Sequence, residues 1–395
     1  MIDFDTALAL VLTEARALPC ETVALAAAAD RVLAADLRAR GDAPRAAVSA
    51  MDGYAVRDTD LATLPARLPI ATVAFAGRAD VPSLPAGTCA RVFTGGPVPH
   101  GADSVMVQEI VGRDGDLALF EVPPGPATHI RAAGSDFRAG DTLLPAGTLL
   151  GFRAMVAAAA ADVADLSVVR RPHIVILGTG DELAEPGQAF ETPGSIPESV
   201  SFGVAALARQ CGGEVVERRR LTDTPETLEA AARLALSEAD LVVVTGGASV
   251  GEKDYARSMF APFGLELIFS KVAIKPGKPV WFGRADGTLI LGLPGNPTSA
   301  LVTARLFMAP LVAGLTGRDP AALLGWRDMT LTAPLKACGD RETFERGRLV
   351  GGGVAGLAVQ DSATQIALAT ADVLIRRRAG AAALNAGDNA LVLDF

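Results

Sequence analysis

Between residues 170 and 318 apolar β-forming runs alternate with helix-patterned segments. Three of the runs end in glycine-bearing loops: ILGTGDEL (176–183), VVVTGGASVGEKDY (242–255) and LILGLPGNP (289–297). Continuous apolar strands need cover on both faces, so the alternation predicts a largely parallel sheet flanked by helices. In such sheets ligands bind at the carboxyl ends of the strands. Glycines there permit positive φ and close backbone approach, and Gly246, Gly247 and Gly251 would expose amide N–H groups that can hold an anion. In the third loop Asn296 is placed to cap a helix and Pro297 suits its first turn. The unpaired N–H groups and partial positive charge of that helix start suit a phosphate. Each loop alone reads better as a tight strand-to-helix turn; three in one unit favour a binding site. No G-x-x-x-x-G-K-[ST] or G-x-G-x-x-G pattern occurs, which excludes the P-loop and dinucleotide fingerprints.

Charged residues complete the pattern. If 271–275 in SKVAIKPGKPVWFG is extended, Lys271, Ala273 and Lys275 share a face, with Lys278 just past a Pro-Gly turn. In a chain of net charge −9 a lysine cluster suggests a polyanion; the competing reading is a solvated edge strand. Glu182, Asp223 and Asp254 follow strands of the same region, Asp181 lies beside the first, and Asp52 and Asp136 sit in glycine-containing loops of an earlier β-rich stretch. Acids beside phosphate-binding glycines would repel the ligand unless a divalent ion bridges them. Each acid alone also reads as a cap or turn former.

The rest of the chain bounds the function. Its 395 residues exceed a single core of roughly 250–300 residues. A helix is expected over 3–18, short strands over 44–130, a helix after Gly151, and short strands again after residue 318. The acidic balance argues against sequence-independent nucleic-acid binding. No run of about 18 apolar residues lacks a charge, so no membrane span is expected, and the acidic start is unlike a secretory signal. The four cysteines, Cys20, Cys89, Cys211 and Cys338, form no C-x-x-C, which fits a reducing cytoplasm. His100, His129 and His173 are isolated, so a metal would be a hard cation such as Mg²⁺ held by carboxylates.

Seven stretches, in order, carry a resemblance: SAMDGYAVR (49–57), FTGGPVPHGADSVMVQE (93–109), RAAGSDFRAGD (131–141), GTGDELAEPG (178–187), TGGASVGEKDY (245–255), KVAIKPGKP (271–279) and GLPGNPTSA (292–300). The chain resembles the MoeA family of molybdopterin molybdenumtransferases, which includes the E domain of gephyrin. The resemblance implies a multidomain α/β plus β fold. Its parts would be a discontinuous helical linker domain (1–43 and 137–169), a β-rich domain (44–136), a central α/β molybdopterin-binding domain with a mostly parallel sheet (170–318) and a C-terminal β-barrel-like domain (319–395). It implies insertion of molybdate into adenylylated molybdopterin with Mg²⁺ and release of AMP, by a cytoplasmic homodimer whose site lies between subunits. It further implies molybdopterin adenylyltransferase and molybdoenzyme chaperones as protein partners.

The implied catalytic positions are Asp52, Thr94, Asp136, Glu182, Asp254, Lys271 and Lys275, with Glu182, Asp223 and Asp254 as metal ligands. Substrate would be held by Arg131, Gly246, Gly247, Ser249, Gly251, Lys278, Pro294, Gly295, Asn296 and Pro297. Asp52, Thr94 and Asp136 would come from the partner subunit. No cysteine or serine in these motifs has an evident base beside it, so positioning and electrostatics are expected rather than a covalent nucleophile. The chain departs from the family pattern at Glu198-Ser199-Val200, where Asp-Ser-Asn is usual, at Ser135, where an acid is common, and at QDSATQ (360–365), where a Gly-Ser-Gly-like motif is usual. These departures leave room for a paralogue. The competing functions are a molybdopterin adenylyltransferase and a non-catalytic, gephyrin-like scaffold.

Overall fold

The structure is a computed structural model that describes residues 1–78, 82–247 and 255–395. Ser249, Gly251 and Asp254 therefore lie outside the described residues. The chain forms two compact units, one of Met1–Val23, Asp30–Ala34 and Ser167–Phe395, the other of Ala24–Ala29 and Ala35–Leu166. This grouping is coarser than the segments expected from sequence.

The first unit is built on a six-stranded sheet of β1 (His173–Thr179), β2 (Glu214–Leu221), β3 (Leu241–Thr245), β4 (Glu266–Phe269), β5 (Trp281–Ala285) and β6 (Thr288–Leu293), in the order β2-β1-β3-β6-β5-β4. The β2-β1-β3-β6 pairs are parallel, and β5 and β4 are antiparallel additions at one edge. Alternate residues of the apolar strands enter two different cores. Ile174, Ile176, Leu241, Val243, Leu289 and Leu291 pack beneath α1 (Val200–Gln210) and α3 (Pro297–Leu315). Val175, Leu177, Val242, Val244 and Ile290 pack beneath α2 (Pro225–Glu238). Cover on both faces is why these strands read as unbroken apolar runs.

The N-terminal helix, Phe4–Glu14, is shorter than the expected span and adds Phe4, Ala7 and Val11 to the α1–α3 core. Helix α3 is long and apolar enough to cross a membrane, yet 89% of it is buried inside the fold, as in a core helix of a folded domain. Its middle, Ala304–Met308, widens to a π-helix just before Pro310, which has no N–H to give the regular ladder. After α3 a second six-stranded sheet includes Ile274–Lys275, Glu342–Val350, Val373–Arg377, Asn389–Asp394 and Arg327–Thr330. The strand Gly353–Gly356 pairs with Glu342–Val350, and a bridge from Val354 to Leu331 joins it back to the Arg327–Thr330 end, so the sheet curls on itself.

The other unit centres on a six-stranded sheet. Its order is Ser104–Val107, Gly53–Val56, Cys89–Val92, Ala66–Ala74, Leu117–Phe120 and Val111–Asp114. Gly53 is required where the strands crowd, because a Cβ there would lie 2.2 Å from the Met106 carbonyl oxygen.

Candidate active site

Strand β1 sends its crossover helix to one face of the sheet and β2 sends its helix to the other. The order therefore reverses at β1, the point where parallel sheets open a ligand crevice. The register levels the strand ends: Gly178 pairs with Thr245, and Thr245 with Leu293. The loops that follow converge on one cleft of about 910 Å³. Thr179, Gly180 and Glu182 line it from the first loop, Gly246 and Gly247 from the second, and Pro294, Gly295, Asn296 and Pro297 from the third. Asp223, after β2, lines it as well. Gly246 has φ +91°, and a Cβ there would sit 2.5 Å from the Thr179 carbonyl oxygen, so this turn admits only glycine.

Lys271 and Lys278 line the same cleft, which brings the lysine segment and the glycine turn together. Lys275 is exposed and is not among the lining residues. Its backbone is drawn into the second sheet by pairing with Thr343. Its charge acts on Glu345, whose carboxyl is pushed up by burial. Alternation along 271–275 could assign a face, but it carried no sign of this pairing.

At the start of α3, Asn296 is the N-cap residue, but its side chain does not cap. Its Nδ2 donates instead to Ser362 Oγ at 3.1 Å, and the Ser362 carbonyl accepts the Thr298 N–H at 3.1 Å. The cap expected from Asn296 is thus supplied by backbone from the 360–365 segment. Arg346, 1% exposed, holds that segment: it donates to Thr298 Oγ1, Val359 O and Asp361 O. Ala363 and Gln365 consequently form part of the cleft wall.

Glu198 was noted in the sequence only as a departure, yet it lines the cleft while 4% exposed. Its Oε1 accepts the Ser201 N–H at 2.8 Å, its Oε2 accepts the Ser201 hydroxyl, and Arg218 Nη1 lies 3.5 Å from Oε2. An acid just before a helix start, where the first-turn N–H groups are unpaired, was the available signal. Among the described residues no three acids, histidines or cysteines cluster to hold a metal. Glu182 and Asp223 both line the cleft, and carboxylates are the oxygen donors that a hard cation such as Mg²⁺ takes. The Asp223 N–H is received by Asp181 Oδ1 at 2.9 Å.

In the other unit Asp52 and Thr94 meet directly. Asp52 Oδ1 accepts the Thr94 N–H at 2.7 Å and its hydroxyl at 2.9 Å. These bonds, the backbone one foremost, hold the Asp52 carboxyl below its ordinary range. Ser49 ties the neighbouring stretches together, pairing with Ile130 and accepting the Gly95 N–H. Arg131, next to Ile130, is exposed. Asp136 is exposed too, its N–H donating to Ala43 O at 3.0 Å.

Comparison with known proteins agrees along the whole chain. Residues 2–161 match the MoeA N-terminal region (domain I and II), 175–314 a "Probable molybdopterin binding domain", and 328–395 the MoeA C-terminal region (domain IV). A molybdopterin molybdenumtransferase of Haemophilus influenzae is 36% identical over 329 residues, covering 83% of this chain and 80% of that one. Molybdopterin molybdenumtransferase 2 of Mycobacterium tuberculosis is 37% identical over 336 residues, 82% of each chain. The crystal structure of a molybdopterin biosynthesis MoeA protein from Pyrococcus horikoshii superposes with TM-score 0.85 at 27% identity, covering 100% of this chain and 99% of that one. With all three regions matched in order and more than a third of residues shared with such relatives, the chain belongs to the MoeA family.

Proposed function

We propose that this chain is a molybdopterin molybdenumtransferase that inserts molybdate into adenylylated molybdopterin and releases AMP. One observation carries the reading: bare amides, lysines and acids from separate loops line a single cleft at the switch point of the sheet. The turn at Gly246 and Gly247 and the α3 start at 294–297 hold the pterin-side phosphate. Lys271 and Lys278 draw in the oxyanion and balance charge as the phosphoanhydride breaks, with Lys275 adding to the local field. Magnesium, held by Glu182 and Asp223 with Asp254 and phosphate oxygens, supplies Lewis-acid polarisation when bound. Asp52, Thr94, Arg131 and Asp136 act in a cytoplasmic homodimer as the second copy's contribution.

The test is incubation with adenylylated molybdopterin, molybdate and Mg²⁺. AMP release that requires molybdate is the expected result. Adenylylation of the pterin from ATP, or no turnover at all, would overturn the assignment.

A further inference from the structure

Resting on that reading, we propose that Phe75, backed by Phe93, is the platform on which the adenine ring of the adenylylated substrate stacks. The sheet of the Ala35–Leu166 unit sets the place. Tyr54 pairs with Met106 and with Arg91, and Arg91 with Val73, across four neighbouring strands. Side chains alternate along a strand, so the residues two positions further on, Gln108, Asp52, Phe93 and Phe75, form the next row on the same face. That row lies just past the strand ends, at the end of the sheet.

The row caps a stack. Arg91 sits over the Tyr54 ring at 4.9 Å and over the Phe93 ring at 4.7 Å. Its guanidinium is tied down by donating to Gly53 O at 3.1 Å and to Gln108 Oε1. Phe75 lies on Phe93 with ring centroids 4.8 Å apart and planes 9° from parallel. The Phe93 N–H donates to Ala74 O at 3.1 Å, which holds the two backbones together. Tyr54 anchors the inner end in the core, whereas Phe75 at the outer end is 52% exposed. Unlike the fully exposed Phe190, Phe75 is held flat by a partner ring. A ring fixed in this way loses little freedom when a flat ligand covers it, and a heteroaromatic ring offers it a π-face.

Charge selects what covers it. Asp52 stands in the same row, two strands from Phe75 and so about 10 Å away. Both bonds from Thr94 go to its Oδ1, and among the described residues Oδ2 accepts none. A carboxylate so placed disfavours an anion and suits a neutral ring edged with N–H groups. Phosphates belong instead with the glycine turns and lysines of the α/β cleft. In the proposed function that cleft takes the pterin with its phosphate, which leaves adenine for Phe75.

The test measures binding of AMP, ribose 5-phosphate and 6-hydroxymethylpterin to the full chain by calorimetry. AMP and ribose 5-phosphate share a phosphate and differ by the base. The wild type should bind AMP about tenfold or more tighter, the factor one base–aromatic stack supplies. Phe75→Leu, which keeps an apolar side chain against Phe93, should remove that advantage, and Phe75→Trp should keep it. Neither should change binding of ribose 5-phosphate. The indole introduced by Phe75→Trp should be quenched by AMP and not by ribose 5-phosphate. A wild type without the advantage, a Phe75→Leu variant that retains it, or a Phe75→Trp variant that loses it as fully would overturn the inference. So would a Phe75→Leu variant that loses affinity for 6-hydroxymethylpterin rather than AMP, because the stacked ring would then be the pterin. Molybdate-dependent AMP release by the wild type is read separately. Its absence alongside an intact AMP advantage would remove the proposed function and leave the base platform standing, and the reverse result would do the opposite.

Discussion

Glu198 and Asp52 are both carboxylates, but the two units hold them differently. Glu198 is buried, balanced by Arg218 and bonded into the first turn of α1. Asp52 is only half-buried, and among the described residues the acceptor bonds that its carboxylate makes come from Thr94. The glycines of the two regions differ in the same sense. Gly53 lies between paired strands, whereas Gly246 lies in the bend just past the carboxyl end of a strand. A group woven into packing serves fold and ligand at once, while a group held at the surface by one neighbour can serve chemistry with little effect on folding.

The largest effect should come from the glycines. Gly53→Val drives a side chain into the Met106 carbonyl within a six-stranded sheet, and should cost about 4 kcal/mol or more and abolish cooperative unfolding of that unit. Gly246→Val also meets a backbone carbonyl, that of Thr179 at 2.5 Å, and takes φ +91°, but it does so in a bend that can shift rather than between paired strands, and should cost less, about 1–3 kcal/mol, while removing pterin binding. Thermal unfolding followed by circular dichroism, with pterin fluorescence quenching, separates the two. Equal losses of stability would break the comparison.

Next in size is the pair of acids. Glu198→Ala removes a helix cap and strands a partly buried guanidinium, and should lower stability by about 2–4 kcal/mol. Asp52→Ala should leave the melting temperature unchanged while turnover falls about a hundredfold, the scale of a lost electrostatic contact at a reacting centre. Similar melting temperatures for both variants would erase the distinction between a woven and a surface-held acid.

A smaller effect concerns acid stability. Burial alone would raise the pKa of Asp240, but the Arg170 guanidinium and the His173 N–H outweigh it and hold the carboxyl below its ordinary 3.8. A depressed carboxylate stabilises the fold fully above the unfolded-state value and loses that contribution as pH falls through the folded value. The gap in melting temperature between wild type and Asp240→Asn should therefore be widest near neutrality and close below pH 3.8. A gap that widens in acid would reverse the sign and refute the pairing.

The smallest effect is chemical. Burial pushes the Cys89 thiol up to about 12 and raises that of Cys211, whereas Cys20 is exposed. A thiol reagent at neutral pH should label Cys20 and spare Cys89 and Cys211 until the protein unfolds.

Much of this was legible in the residues. The three apolar runs became adjacent strands and their glycine loops met at the carboxyl ends of those strands, because apolar period and glycine placement are local properties. What escaped depended on partners distant in sequence. The α3 cap comes from Ser362, 66 residues from Asn296. Lys275 is turned from the cleft by a strand that begins at Glu342. Glu198 looked like a bare departure from a pattern until its burial and its bonds to Ser201 and Arg218 gave it a place in the cleft wall.

The most direct measurement is a crystal structure of the protein with a phosphorylated pterin bound. The account predicts ligand density in the cleft bounded by Thr179–Glu182, Gly246–Gly247 and Pro294–Pro297, with the phosphate toward Lys278 and α3. Density instead in the separate cleft of about 590 Å³ lined by Glu14, Arg16, Asp240 and Arg284 would contradict it.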